Sequence, residues 1–449
     1  MLRKGDLTQG GITGTLLHFT LPMLVGSFLQ QCYNIADTLI VGQCIGAGAL
    51  AAVGSAYTLM VFLISVLLGL AMGSGTVFSL HYGAGNHVAL RRSIFSSFVL
   101  IGIVTLILNV AVFIWIDPIL QLLQVPQDIY GMMRSYLWII FCGIVFTFIY
   151  NFYASLLRAV GDSVTPLWFL AVSVVLNIAL DLFFILQLDW GIQGAAAATV
   201  LAQGVAALGI IIYTYRRRPE LRWHHEDMCF DRTCLKEIAS FSTLTCVQQS
   251  VMNLGILMIQ GLVNSFGTAV MAAFAAAVKI DSFAYMLVQE FGNAFSTFIA
   301  QNFGAGRYDR IHRGVRSAFV TAVVFSLLVS VLVFVFAEPL MLIFVRPDET
   351  EIIAVGVTYL RIEGAFYCGI GILFLLYGYY RAIRMPGMSV VLTVLSLGTR
   401  VVLSYWLASI PEIGVTGIWW SIPIGWLIAD VAGIWYYRYK KFRFQESKA

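Results

Sequence analysis

Residues 93–116 read SIFSSFVLIGIVTLILNVAVFIWI, an apolar run with no ionisable side chain between Arg92 and Asp117. A helix needs about 20 mostly apolar residues to cross the hydrocarbon core of a bilayer. Only helices and closed barrels satisfy their backbone hydrogen bonds inside a membrane, and barrel strands alternate apolar and polar residues. The unbroken run therefore predicts a transmembrane helix and not a barrel strand.

Similar apolar runs fill the chain of 449 residues. Hydrophobic residues make up 60% of the sequence and charged residues 11%, whereas soluble domains carry about 25% charged residues. This composition excludes an ordinary water-soluble enzyme and predicts an all-α membrane protein with twelve transmembrane helices. The helices are predicted near residues 15–41, 51–79, 94–116, 134–158, 166–187, 193–215, 238–264, 271–300, 315–337, 358–382, 388–409 and 415–437.

The positive charges indicate how the chain is oriented in the membrane. Cytoplasmic loops are enriched in Lys and Arg, and here these residues follow every second predicted helix and occupy both ends of the chain. Those at the ends are Arg3, Lys4, Arg438, Lys440, Lys441, Arg443 and Lys448. We therefore expect a multi-pass protein of the plasma membrane with both termini in the cytoplasm. The small net charge of +4 hides this one-sided distribution, and no nucleic-acid partner is expected.

The two halves of the sequence resemble each other. Residues 81–85 (HYGAG) recur as residues 302–306 (NFGAG), and residues 191–194 (GIQG) recur as residues 414–417 (GVTG). The two motifs recur at nearly the same offset along the chain. Because six predicted helices lie within this offset, the second copy enters the membrane in the same sense as the first. The sequence thus contains a parallel internal repeat.

The repeat predicts two six-helix bundles, an N-terminal lobe of residues 1–222 and a C-terminal lobe of residues 223–449. Two such halves can expose a central site alternately to the two sides of the membrane. Duplication favours a transporter, although duplicated membrane enzymes also exist. The sequence contains no ATPase signature, no HExxH motif and no nucleophile elbow. We therefore predict that the protein is not an enzyme and needs no cofactor.

Ionisable side chains deep in membrane helices cost about 2.5–3.5 kcal/mol on insertion scales, so their presence needs a reason. Asp37 lies in the first predicted helix and Asp181 in the fifth. Asn177 precedes Asp181 by one helical turn and so shares its helix face, and Thr199 lies near the start of the next helix. Such an oxygen set suits a hard cation or a proton. The alternative is that these groups are hydrogen-bonded in the core and only pack.

Polar and aromatic residues near these acids suggest a substrate cavity. The candidates, from the first and fourth predicted helices, are Gln30, Gln31, Asn34, Tyr136 and Asn151. A polar stripe on the first helix is expected to face a cavity and not lipid, and aromatic faces attract organic cations. Pro22 removes a backbone hydrogen bond early in the same helix. We predict a gating kink at Pro22, with a static kink or a proline close to the first turn as the alternative.

The second half differs chemically from the first. At the offset that relates Gly191 to Gly414, Arg400 stands where the first half has Asn177, and Ser404 stands where it has Asp181. The carboxylate pair is therefore expected in the first half alone.

The second half carries other charges inside its predicted helices. Asp430 can pair with Arg400, which would give both a purely structural role, and Lys279 can pair with Glu290 or with an acid on another helix. Glu363 lies close to the start of its predicted helix, from which its side chain can extend to the membrane surface or into a cavity. Whether Lys279, Glu290 and Glu363 form a site in the second lobe is left open.

Together these features resemble the MATE (multidrug and toxic compound extrusion) transporters. The resemblance spans nearly the whole chain and is carried, in order, by residues 19–22 (FTLP), 34–38 (NIADT), Gly42, Gln43, 49–54 (ALAAVG), 82–85 (YGAG), 158–162 (RAVGD) and 301–306 (QNFGAG). It implies twelve helices in two lobes and export of cationic or amphipathic compounds against an inward flow of Na⁺ or H⁺. In the branch with an acidic first lobe, the residues matching the cation site are Asp37, Asn177, Asp181 and Thr199. Pro22 matches a proline whose helix is proposed to bend, and Tyr136 a tyrosine near the cavity.

The sequence therefore predicts a secondary antiporter that exports cationic or amphipathic drugs across the plasma membrane in exchange for Na⁺ or H⁺. The alternative is a flippase for a lipid-linked oligosaccharide, which would need a cationic cavity. Only Lys279 and Arg400 are basic candidates deep inside the predicted helices, away from their ends. The expected partners are small organic cations or amphipathic drugs and the lipid bilayer, with a monomeric chain. The only metal ion expected is Na⁺ at the acidic site.

Overall fold

A computed structural model describes residues 6–122, 125–228 and 231–446, without the side chains of Ala47, Thr58, Leu122 and residues 440–446. Within these ranges the chain is helical and contains no β-strand. The α-helices are α1 (Ile12–Cys44), α2 (Ala47–Gly83), α3 (His87–Leu122), α4 (Gln127–Cys142), α5 (Ile144–Ala159), α6 (Val164–Leu182), α7 (Gly191–Arg217), α8 (Arg232–Asn264), α9 (Thr268–Gly304), α10 (Tyr308–Val335), α11 (Ala337–Leu342), α12 (Thr350–Gly364), α13 (Tyr367–Ala382), α14 (Pro386–Ala408) and α15 (Val415–Glu446). The predicted terminal charges Arg3, Lys4 and Lys448 lie outside the described residues.

The twelve predicted membrane spans are confirmed. Within the described residues, ten helices are each long and apolar enough to cross a membrane, and two bent helix pairs bring the number of spans to twelve. In these pairs α4 meets α5 at 47° and α12 meets α13 at 51°. The fourth span of each half, predicted as one helix, is therefore broken near its middle.

The duplication is visible in the backbone as well as in the sequence. Positive φ angles, which favour glycine, occur at matching points of the two halves: Gly46 and Gly267, Gly85 and Gly306, Gly161 and Arg384, and Gly191 and Gly414. The offset within each pair equals that of one of the repeated sequence motifs. Left-handed residues of this kind end helices or redirect the chain. Corresponding helices of the two halves thus join their connecting segments with the same sign of φ.

The chain forms two compact units, each with its own hydrophobic core. The first unit contains Leu17–Cys246, and the second contains Thr8–Leu16 and the described residues from Val247 onward. In the second unit, Arg307 and Arg310 donate hydrogen bonds to backbone carbonyl groups of the segment Thr8–Leu16. The predicted lobe boundary at residues 222 and 223 stays a prediction, whereas the compact units divide later, within α8.

Polar contacts hold the start of α8 in the first unit. The buried hydroxyl oxygens of Ser242 on α8 and Ser74 on α2 are 2.8 Å apart. In the loop before α8, the Arg91 guanidinium donates to the Asp227 carboxylate over 2.7 Å, and the backbone N–H of His224 donates to it over 3.0 Å. Burial opposes the charge of Asp227, but these hydrogen bonds outweigh it and hold the pKa of Asp227 below its usual value.

The crossing of α2 and α8 depends on a glycine. A Cβ atom on Gly73 would lie 2.5 Å from the carbonyl oxygen of Phe241 and 2.6 Å from the Cα atom of Ser242. We expect Gly73→Ala to lower the free energy of unfolding by about 1–3 kcal/mol, the usual cost of overpacking. Gly54→Ala on the same helix would meet no atom within 4 Å and should melt at the parent temperature. Thermal unfolding in detergent compares the two, and equal melting temperatures would show that α8 moves aside without cost.

Candidate functional site

Three helices of the first unit bring the predicted ion-site residues to one place. Helix α1 carries Asp37, α6 carries Asn177 and Asp181, and α7 carries Thr199. All four side chains are buried, and Asp181 is completely inaccessible. Residues far apart in the sequence thus form one polar cluster inside an apolar bundle, where each group needs a compensating partner.

Asn177 links Asp181 to Thr199. The surrounding donors and acceptors fix the orientation of its amide. Its Nδ2 donates to Asp181 Oδ2 over 2.9 Å, and its Oδ1 lies 3.3 Å from Thr199 Oγ1. The hydroxyl of Tyr33, one turn before Asp37 on α1, also lies 3.3 Å from Thr199 Oγ1. The two carboxyl-bearing helices are therefore joined through one hydroxyl group.

The carboxyl groups of Asp37 and Asp181 contact each other. They lie in hydrogen-bonding contact, and the Oδ1 atom of each is buried and accepts no hydrogen bond from the described residues. Two carboxylates this close cannot both stay ionised without a positive charge between them. The pair is therefore suited to hold a shared proton or a small cation.

The α-helix gives way to a wider π-helical turn two residues after Asp181. Phe183–Gln187 form a π-helical turn, in which the N–H of Leu188 donates to the carbonyl oxygen of Phe183 over 3.3 Å. Single π turns inside α-helices often occur at functional sites. Here the turn ends the α-helical hydrogen bonding of α6 directly beyond the acid.

The broken fourth span packs against the same region. Gly143 separates α4 from α5, and a Cβ atom there would lie 2.5 Å from Cγ2 of Val200, the neighbour of Thr199. Helix α4 contributes Tyr136, which is 4% exposed and faces Asp37, Asp181 and Tyr33. Tyr136, predicted for the substrate cavity, thus lies beside the acidic pair.

The other predicted cavity residues are not joined to this cluster by the described contacts. Gln30 is exposed, and Gln31 and Asn34 are half-buried. The Asn151 amide donates to the backbone carbonyl of Thr147 on its own helix over 2.8 Å. Pro22 lies inside the continuous helix α1. Their roles in the substrate cavity and in gating stay predictions.

The second unit contains a second buried carboxyl pair, so the expectation of a pair in the first half alone is wrong. Asp281 on α9 contacts Glu363 on α12, and the two side chains are 5% and 1% exposed. Helix α12 begins at Thr350, two turns before the predicted start. Glu363 therefore lies in the last turn of α12, too deep for its side chain to extend to the membrane surface.

The charges around this second pair also differ from the expectation. Arg400 faces Asp281 and Glu363, and no ion pair joins it to Asp430 within the described part of the chain. The ammonium group of Lys279 lies 5.9 Å from the ring centroid of Phe344, a cation–π distance. The predicted pair of Arg400 and Asp430 is therefore wrong, because the electrostatic interactions of the guanidinium are with Asp281 and Glu363.

The described residues form twelve spans in two repeated halves. Each half encloses buried ionisable side chains, an arrangement that defines a duplicated membrane transporter. The MatE family model matches residues 22–183 and again residues 245–406. The two matches are separated by the same offset that relates Gly191 to Gly414. The chain belongs to the MatE family, a family of transporters and not of enzymes.

Individual relatives cover almost the whole chain. The probable multidrug resistance protein YpnP of Bacillus subtilis is 30% identical, with 98% of each chain aligned. The probable multidrug resistance protein NorM of Thermotoga maritima is 25% identical over 93% of this chain and 89% of its own. Among solved structures, the bent form of the Vibrio cholerae MATE transporter VcmN is 25% identical and matches with a TM-score of 0.88 over 95% of this chain and 96% of its own. The resemblance to MATE transporters is confirmed.

Proposed function

We propose that this protein exports cationic or amphipathic drugs across the plasma membrane in exchange for Na⁺ or H⁺. The observation that carries the proposal is the buried contact between Asp37 and Asp181, supported by Asn177 and Thr199. An ion that neutralises this pair removes the repulsion between the two acids. Relatives described as multidrug resistance proteins support drugs as the exported class.

Coupling requires that ion and drug favour different states of the transporter. The ion-free pair carries repelling charges inside an apolar bundle and is expected to recruit a positive charge, from the ion or from a cationic drug. The ion and the drug then compete for one negatively charged cluster. Because the two do not occupy it together, alternating access of the two lobes exchanges one for the other across the membrane. We place both termini in the cytoplasm and expect a monomer to suffice, because each polar cluster lies within one unit.

The flippase alternative is less well supported. A pyrophosphate group needs a free cationic cavity, but Arg400 faces two acids and Lys279 lies over an aromatic ring. The two bacterial relatives above are named for multidrug resistance, not for lipid translocation.

The test is efflux of a fluorescent cationic dye from liposomes that contain the purified full chain. A Na⁺ gradient without a pH difference and a pH gradient without Na⁺ are imposed in separate experiments. We expect one gradient to drive dye against its own concentration difference, and protein-free liposomes to show neither response. Equal dye movement with and without both gradients would contradict ion coupling.

A further inference from the structure

The strongest feature outside the proposed ion site is the ionic cluster of the second unit. It consists of Asp281 on α9, Glu363 on α12 and Arg400 on α14, which are 5%, 1% and 8% exposed. The two carboxyl groups contact each other, and both interact electrostatically with the guanidinium, although no direct ion pair joins them to it among the described residues. Three ionisable groups from three helices are thus enclosed together, although each alone would be costly to bury.

Tyrosines complete the surroundings of this cluster. Tyr359 contacts Glu363, Tyr367 lies beside Asp281, and Tyr285 faces both acids. Among the described residues, these tyrosines and Arg400 are the titratable groups that face the acidic pair. Several buried polar atoms of the cluster nevertheless lack a hydrogen-bond partner of good geometry among the described residues: Asp281 Oδ1, Glu363 Oε2, Tyr367 Oη and Arg400 Nε. Hydrogen bonds therefore satisfy the cluster only in part, and its buried charges also have to be balanced.

The internal repeat relates this cluster to the first-half site. At the offset of the two family-model matches, Arg400 corresponds to Asn177 and Tyr359 to Tyr136. Ser404 takes the place of Asp181, and its hydroxyl oxygen lies 2.6 Å from that of Ser421. The second half thus has a fixed guanidinium where the first has a neutral amide. Its carboxyl pair comes from different positions of the repeat.

We propose that Arg400 is a built-in counter-ion, which supplies in the second half the positive charge that an exchangeable ion supplies in the first. The coupling ion is then bound by the first half alone. With Arg400 present, one proton shared by Asp281 and Glu363 makes the cluster neutral. Without Arg400, the two carboxylates need two positive charges before the cluster is neutral. This inference rests on the proposed function for the meaning of the coupling ion, but its test does not depend on drug efflux.

The test replaces Arg400 by glutamine in the full-length chain that also carries Asp37→Asn and Asp181→Asn, so that the first-half site takes up no ion. Bound ²²Na⁺ is counted by scintillation proximity at about pH 8, above the ordinary range of carboxyl groups. The infrared band of protonated carboxyl groups is recorded on the same samples. We expect Arg400→Gln to add about one Na⁺ or one protonated carboxyl group per chain, because a buried uncompensated charge is costly.

Two controls make the result specific to the charge at this position. Arg400→Lys keeps the positive charge and should add neither Na⁺ nor a protonated carboxyl group. Arg361→Gln removes an exposed arginine of α12 and should also leave both counts unchanged. A folded Arg400→Gln variant with neither gain would overturn the proposal.

A second variant keeps the proposal testable if Arg400→Gln does not fold. Arg400→Gln combined with Glu363→Gln removes one charge of each sign and restores the original balance of the cluster. We expect this pair to raise the melting temperature above that of Arg400→Gln alone and to bind no extra Na⁺. If the double variant is no more stable than the single one, Arg400 acts by packing and the counter-ion role is wrong.

Discussion

Asp181→Asn is expected to reduce gradient-driven dye efflux by at least about 100-fold, to the level of protein-free liposomes. An amide neither binds a proton nor neutralises a cation, so the variant cannot alternate between charged and neutral states. Asp37→Asn should have the same effect, because the two carboxyl groups are in contact and act as one unit. Efflux is measured in reconstituted liposomes under whichever gradient drives the parent protein.

Unfolding must be separated from the loss of coupling. Replacing one acid of the buried pair removes repulsion, and we expect the melting temperatures of both variants to equal or exceed that of the parent. Asp128→Asn changes an exposed acid in the first turn of α4 and should leave efflux within about twofold of the parent, as surface substitutions usually do. Undiminished ion-driven efflux in both aspartate variants would remove the basis of the proposed function.

The number and order of the spans could be predicted because each span is encoded locally. A run of about 20 apolar residues is sufficient to identify a membrane helix, and the repeat supports the count independently. The breaks in the fourth spans could not be predicted. Gly143 lies in an apolar run like many other glycines of this chain, and its role depends on the approach of Val200 from another helix.

The first-half cluster could be predicted in part. The spacing of Asn177 and Asp181 places them on one helix face, which is local information. Spacing alone does not show that Asp37 and Thr199 reach the same point, and the family resemblance supplied that expectation. Tyr33 carried a usable signal, because it lies one helical turn before Asp37 and so shares its helix face.

The second-half pair could not be found by the same reasoning. Asp281 and Glu363 lie far apart in the sequence and on different helices, so no spacing rule connects them. The predicted helix that contains Glu363 begins at residue 358, whereas residues 350–357 (TEIIAVGV) already form the first half of α12. Only this earlier helix start places Glu363 deep enough to meet Asp281.

Asn177→Leu is expected to shift the ion dependence of efflux by about 10–100-fold, and the direction of the shift identifies the coupling ion. The Nδ2 atom of Asn177 donates to Asp181 Oδ2 over 2.9 Å. A hydrogen bond to a charged group contributes about 1.5–3 kcal/mol, which is roughly one to two decades in an equilibrium constant. The isosteric leucine removes this bond while it keeps the side-chain volume.

The two candidate ions respond to this loss in opposite ways. If H⁺ is the coupling ion, the ionised pair loses a donor and holds its proton more tightly, so the midpoint of efflux moves to higher pH. If Na⁺ is the coupling ion, the site loses a polar ligand and half-maximal efflux needs more Na⁺. Asn109→Leu on α3, outside the aspartate cluster, is the matched control and should shift neither midpoint. An Asn177→Leu variant with both midpoints unchanged would show that Asn177 only packs, and that Asp37 and Asp181 bind the ion without it.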